Sequence, residues 1–361
     1  MKAALIGAGL IAKQHLACLR ELKGVEIVGV CDLSPAMAES AAERFGVPKW
    51  FTDSATMLET VRPDVIHVTT PPASHYPLAS QALDSGAHVI VEKPATVTHD
   101  QLVSLVAKAS DRGKVLVEDY NYVFDKSTQA ILEKVKSGEF GEVTHVDVFI
   151  TLDILGPGSG FADPNAPHPL LKLPGGAIAD FLTHLASLAH VFVGAHRSAQ
   201  TVWSRRSAVP GPLPYDEFRA LIDAEHGTAS IAFSGRIQPD AFWLRVYGTK
   251  MQAVANLFET RLTFDRVRGG PKPLRPVLNS REEGNAVKRA AYSSLFRKLS
   301  GGPGTYEGLW ELLARTYKAL ESGTEPPVTT RQILDVNRLV DDLKPAASPV
   351  ENGAPIAGAL T

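Results

Sequence analysis

Three residues stand where proton transfer and charge transfer would need them. Asp180 and His184 are four apart in an apolar segment, so a helix would carry both on one face. An imidazole can exchange a proton near neutral pH, and a neighbouring carboxylate can orient the ring or hold a hydroxyl. Lys93 closes the apolar run Val89-Ile90-Val91. At the carboxyl end of a strand its ammonium could polarise an oxygen and stabilise developing alkoxide charge. Oxidising a secondary alcohol needs these groups together with a hydride acceptor. Each residue also has a plainer reading. His184 could be a core histidine, Asp180 a complement to a helix dipole, and Lys93 the polar stop of a strand.

A site for the hydride carrier is legible at the N-terminus, in Gly7-Ala8-Gly9-Leu10-Ile11-Ala12. Gly7 permits a tight turn after a strand, and Gly9 removes a side chain where backbone must approach a pyrophosphate. Ala12 replaces a third glycine and is small enough for helix–strand packing. The diphosphate would rest on free N–H groups at the start of a Leu10–Arg20 helix. Asp32 ends the second strand 20 residues beyond Ala12. Its carboxylate can accept from ribose hydroxyls and would repel a 2′-phosphate, which favours NAD over NADP. The alternative is an Asp that only caps the turn before Ser34. Arg44 could weaken the preference by folding back.

The elements that must position these residues follow from periodicity. Short apolar strands are expected at Ala3–Ile6, Val25–Cys31, Val65–Thr69, Val89–Val91 and Val115–Val117. Helical segments alternate with them. Ser34-Pro35 starts one and Gly46 stops it, while Thr98 and Gln101 form a capping-box pattern. The reading is α/β: a Rossmann-type, doubly wound parallel sheet over residues 1–120. From 121 to 343 a second α/β domain is expected. It holds helices at Ser127–Lys136, Ile178–Val193, Thr305–Glu321 and Thr329–Leu343, and an open, largely antiparallel sheet that includes Val143–Ile150, Ala229–Phe233 and Trp243–Tyr247. Residues 261–300 carry ten Lys/Arg against three Asp/Glu and read as a solvated loop. Residues 344–361 read as a disordered tail.

Composition narrows the classes. Lys+Arg 37 against Asp+Glu 39 gives a net charge of -2, so no global field recruits nucleic acid or an acidic membrane. No run approaches the ~18 uninterrupted apolar residues of a membrane helix, and Met1–Gly7 is too short for a signal sequence. Cys18 and Cys31 cannot build a disulfide framework or a cysteine-rich zinc site. His67, His88, His145 and His190 show no ligand spacing, so no metal site is expected. The expectation is a cytoplasmic protein with a small-molecule partner.

Three further motifs extend the pattern: Thr69-Thr70-Pro71-Pro72-Ala73-Ser74-His75, Glu92-Lys93-Pro94, and Gly175-Gly176-Ala177-Ile178-Ala179-Asp180 followed by His184. Their order and spacing resemble the Gfo/Idh/MocA oxidoreductases over roughly residues 1–343. The resemblance implies an NAD(P)-dependent dehydrogenase or reductase acting on CH–OH groups of a sugar, cyclitol or related polyol. It also implies homo-oligomers formed through the C-terminal sheet. Lys93, Asp180 and His184 match the family's catalytic positions. The implied cofactor contacts are Gly7, Gly9, Leu10, Ile11, Asp32, Thr70, Pro71, His75, Glu92 and Lys93, with Glu92 on the nicotinamide side. Asn121 and Tyr122 are expected substrate contacts, with His168 and Lys172 added on charge alone. That charge, with Arg266, Arg268, Lys272 and Arg275, would suit a phosphorylated or nucleotide-linked sugar. Departures fall at Val123, Lys126, Leu182 and Ser187, where many members carry Arg, Pro, Gly and an acid. Two other functions use the same residues: tightly held NAD used transiently for elimination or isomerisation, and a non-catalytic NAD- and sugar-responsive regulator.

Overall fold

Near-continuous apolar strands need cover on both faces, and the chain supplies it by alternating strand with helix. The computed structural model describes residues 1–156, 159, 175–208, 213–259, 261–271, 274–300 and 306–345, with backbone alone at 274–275 and 293–300. Strands β1 (Lys2–Ile6), β2 (Glu26–Cys31), β3 (Trp50–Phe51), β4 (Val65–Val68), β5 (His88–Val91) and β6 (Leu116–Glu118) form one sheet. Their order is β3-β2-β1-β4-β5-β6, and every pairing is parallel. Helices α1 (Leu10–Glu21), α2 (Pro35–Phe45), α3 (Ser54–Val61), α4 (His75–Asp84) and α5 (His99–Asp111) make the crossovers. The winding reverses between β1 and β4. Such a switch point leaves a crevice beyond the carboxyl ends of the strands, and the loops after β1, β4, β5 and β6 open into it.

Helix α6 (Lys126–Lys136) leads to a second sheet of seven strands. These are β7 (Val143–Thr151), β8 (His196–Ser204), β9 (Glu217–Ala224), β10 (Thr228–Ser234), β11 (Ala241–Gly248), β12 (Met251–Asn256) and β13 (Arg261–Arg266). All neighbours run antiparallel except β7 and β10, which are parallel. Along β9 buried and open positions alternate, so one face packs inward and the other stays open. The inward face receives α7 (Ala179–Val193) against β7 and β10. Gly176–Val193 is long and apolar enough for a membrane span, but 72% of it is buried inside the fold, as expected of a core helix.

Two expectations are corrected, and one strand was not foreseen. Strand β3 is too short, at two residues, to show a period of its own. Thr98 does accept from the Gln101 N–H, but the return bond is not made and Gln101 Oε1 has no partner. The complete capping box forms instead at α10 (Thr330–Leu343), between Thr329 and Gln332. Residues 261–300 are not a loop: they hold β13 and the long helix α8 (Leu274–Ser300). Val277, Leu278, Val287 and Tyr292 are exposed, so its described side chains offer no strong buried stripe for a periodicity reading to find. The proposed tail lies outside the described residues beyond 345.

Helix α9 (Glu307–Ser322) fixes the floor of the crevice. It packs on the short 3-10 turn Asn121–Phe124, and Gly308 makes that approach possible. A Cβ at Gly308 would lie 2.0 Å from the Asn121 carbonyl oxygen and 2.9 Å from the Asp125 nitrogen. Both neighbours are backbone, so neither can rotate away. Gly308→Ala is therefore expected to cost about 1–3 kcal/mol of stability. Thermal unfolding should show a melting temperature several degrees lower, and an unchanged melting temperature would contradict the packing described.

Candidate active site

The segments that follow β1, β4, β5 and β6 contribute side chains to one cavity of about 310 Å³. Ile11 comes from α1, Thr70 and Pro72 from the loop after β4, and Glu92 and Lys93 from the end of β5. Asp119, Asn121 and Tyr122 follow β6. Asp180 and His184 enter from α7, and Tyr306 from the residue before α9. The four-residue spacing on α7 does put carboxylate and imidazole on the same wall.

Their partnership differs from the simplest expectation. Asp180 does not orient His184; it holds Lys93. The Lys93 ammonium lies 2.7 Å from Asp180 Oδ1 and also donates to the Asp180 carbonyl at 3.0 Å. The ion pair ties the end of β5 to the start of α7 and aims a cation into the cavity. The His184 ring is set by packing, edge-on to Tyr122 with centroids 4.9 Å apart. Tyr122 is braced in turn against Phe242 at 4.7 Å. His184 Nδ1 is buried without a partner. Burial and then the Lys93 charge hold the His184 pKa well below the usual imidazole value, against a smaller opposing pull from Glu92. The ring is therefore a neutral base at pH 7. Ser187, which stands where many relatives of the expected family carry an acid, donates to the His184 carbonyl at 3.2 Å.

The β1–α1 turn fits a dinucleotide. Gly7 has φ +101°, and a Cβ there would sit 2.7 Å from the Thr69 carbonyl oxygen, so the turn closes onto the end of β4. At Gly9 a Cβ would meet nothing within 4 Å. Among the described residues, none occupies the space above it. Helices α2, α3, α5, α6 and α10 each begin with a side-chain cap, whereas α1 has none and no acid in its first turn. Its leading N–H groups are free to take an anion. Ala12 is fully buried, as helix–strand packing requires. Asp32 accepts from the Ala8 N–H through Oδ2 at 2.8 Å and from the Ser34 N–H through Oδ1 at 2.9 Å. It does cap the turn, yet each oxygen keeps a lone pair for ribose hydroxyls. Leu10 and Leu33 are exposed beside it. Arg44 lies over the Phe45 ring at 5.6 Å.

Other expected contacts fall elsewhere. His75 is fully buried, with Nδ1 2.8 Å from the Pro94 carbonyl and Nε2 2.6 Å from that of Thr70. It straps two crevice loops together and does not line the cavity. Pro72, not Pro71, forms the wall. Arg266 and Arg268 are not among the residues lining the cavity, and Arg268 pairs with Glu282. His168, Lys172 and Lys272 lie outside the described residues, as does the Arg275 side chain. Asp119 and Tyr306 escaped sequence reasoning. Asp119 lies two residues before Asn121 in the segment that supplied the expected substrate contacts but was given no role there, and Tyr306 reaches the site from the far end of the chain.

Family models place these loops in context. Residues 1–120 match the model described as "Oxidoreductase family, NAD-binding Rossmann fold", and residues 128–254 match the "GFO/IDH/MocA C-terminal domain". The chain belongs to the Gfo/Idh/MocA oxidoreductases. Residues 1–120 are thus the NAD-binding unit of a Gfo/Idh/MocA protein, in agreement with Gly9, α1 and Asp32. Among similar proteins is a D-glucoside 3-dehydrogenase of Escherichia coli, 36% identical over 40% of this chain and 41% of that one. A "Glycosyl hydrolase family 109 protein 2" of Akkermansia muciniphila is 31% identical over 40% of this chain and 33% of its own length. This chain therefore spans less than half of either relative. A levoglucosan dehydrogenase solved with NADH and levoglucosan shares the fold with a TM-score of 0.76 at 19% identity, covering 95% of this chain and 96% of that one.

The Asp32 geometry makes cofactor choice testable. Asp32→Ser removes the charge, and hydrogen bonds to a charged group contribute about 1.5–3 kcal/mol each. NAD affinity should fall about tenfold or more while discrimination against NADP shrinks. Calorimetric titration with both nucleotides checks this; an unchanged NAD/NADP ratio would remove Asp32 from the site.

Proposed function

We propose that this Gfo/Idh/MocA protein moves a hydride between NAD and a secondary alcohol or ketone of a sugar, cyclitol or sugar derivative. The supporting observation is the convergence of Lys93, Asp180 and a neutral His184 in the cavity to which the crevice loops contribute. NAD supplies the hydride acceptor or donor when bound. In the oxidising direction His184 accepts the hydroxyl proton. Lys93, held by Asp180, donates to the reacting oxygen and stabilises its alkoxide character. Asn121 and Tyr122 line the same space and suit contacts to further hydroxyls. In this reading residues 1–120 bind the cofactor and 121–343 bind substrate. The open face of the second sheet, where Val202 and Leu221 are exposed, would meet a second copy. A solution mass of one protomer would remove that last part.

A second reading keeps the residues and holds NAD through the cycle, so that transient oxidation acidifies a neighbouring C–H and elimination follows. The Akkermansia relative's name as a glycosyl hydrolase favours keeping it in view. Reduced cofactor that accumulates in solution with turnover supports the dehydrogenase; reduced cofactor that never leaves the protein supports the second reading.

His184→Ala should lower kcat by about 10²–10⁴ with NAD affinity nearly unchanged. Turnover close to that of the unsubstituted chain would reject the assignment. The pH dependence carries a sign. The base form of His184 exists above its pKa, which burial and Lys93 depress. The acidic limb of kcat/KM for alcohol oxidation should therefore stay flat through pH 6.5 and fall only well below it. A midpoint at or above 6.5 would contradict the environment described.

A further inference from the structure

Beneath the cavity, polar side chains from separate elements form one buried hydrogen-bonded chain. The Tyr317 hydroxyl on α9 meets His67 Nε2 on β4 at 2.8 Å, and His67 Nδ1 meets His15 Nδ1 on α1 at 2.8 Å. His15 Nε2 meets Glu92 Oε1 at 3.0 Å. The Asp119 carboxyl stands beside Glu92, with an oxygen of each within 4.8 Å of the other. Two buried carboxyl groups so close together cannot both ionise, so the pair retains one proton.

The neighbours decide which residue keeps it. Glu92 faces His15 and the Lys93 charge, which with the Asp119 hydrogen bond bring it down to about 2 against the upward push of burial. Asp119 is pushed well above the carboxylate range by burial first and then by Glu92, against smaller pulls from Lys93 and the Asn121 N–H. With Glu92 ionised, His15 Nε2 is a donor to it, whichever ring carries the hydrogen between the two Nδ1 atoms. Asp119 Oδ2 lies 3.9 Å from His15 Nε2, on the Glu92 side. Asp119 Oδ1 is buried and has no partner. Asp119 itself lines the reaction cavity. Lys93 stays with Asp180 at 2.7 Å and does not turn toward the carboxyl pair, as expected when that pair carries a single charge.

We propose that Asp119 is a neutral carboxylic acid in the wall of the reaction cavity, its O–H given to Glu92 and its Oδ1 awaiting an N–H or O–H donor from the bound molecule. His15, His67 and Tyr317 are positioning residues that hold Glu92 as the partner of that proton. The inference rests on the function proposed above. Two donors have the required chemistry: the carboxamide of nicotinamide and a hydroxyl of the substrate. A neutral acid offers either one an acceptor without adding a second negative charge beside Lys93.

Infrared difference spectroscopy on the full chain tests this directly. At neutral pH the unliganded protein should show the C=O stretch of a protonated carboxyl. The band should move when aspartate carries carbon-13 at its carboxyl, and it should vanish in Asp119→Asn. NAD+ shifting the band while ADP-ribose leaves it unmoved identifies the carboxamide as donor. A shift that appears only when scyllo-inositol joins NADH identifies a hydroxyl. Asp119→Leu should weaken binding of the ligand that moves the band by about tenfold. Asp119→Asn keeps a carbonyl acceptor and an N–H for Glu92, and should recover most of that loss. His15→Phe strips Glu92 of a donor, so the proton redistributes and the aspartate band loses intensity. Absence of a protonated aspartate band, a band that no ligand moves, or Asn behaving like Leu overturns the proposal. Tight NAD+ binding with an unmoved band overturns this proposal alone, whereas no NAD+ binding at all overturns the proposed function with it.

Discussion

The ion pair between Lys93 and Asp180 joins the ends of two elements that have no other reason to meet. Lys93 finishes a strand of the parallel sheet, and Asp180 begins a helix packed on the second sheet. Drawing them to 2.7 Å sets the depth of the cavity, places a cation at its wall and brings His184, one helical turn further on, over the same space. The cation then acts on the imidazole at a distance, favouring its neutral form. Position thus comes from the ion pair, and the protonation state from burial first and the cation second.

Around that pair the polar groups are segregated by what they can still do. Glu92, His15, His67 and Tyr317 satisfy one another beneath the cavity. His75 sets one nitrogen against each of two loop carbonyls, and its neutral ring donates to one of them. Among the residues that line the cavity, His184 on α7 and Asp119 after β6 each keep a buried atom without a partner. An unpaired polar atom costs stability when buried, and a site that binds a polar ligand is where such a cost is tolerated. The same logic applies to α1, whose first turn has neither a side-chain cap nor an acid.

Sequence reading succeeded where the physics is local. Glycine spacing after β1, the Ser34 cap, the Gly46 stop and the alternation of the second sheet depend on neighbours a few residues apart. It failed at β3, too short to carry a period, and in residues 261–300, where a charged helix with exposed apolar residues mimics a loop. It also credited His75 with a cofactor contact, because a motif gives a residue's place along the chain but not the direction of its side chain.

The parallel sheet, its nucleotide turn, the preference implied by Asp32 and the shared face of Asp180 and His184 were all written in short-range pattern. Folding alone decided that Lys93 meets Asp180 across 87 residues, that His15 meets Glu92 across 77 and that His67 meets Tyr317 across 250. Periodicity and turn geometry act over one or two turns of chain. The charge state of a buried carboxyl depends on which distant groups are packed against it, and only the closed structure chooses those.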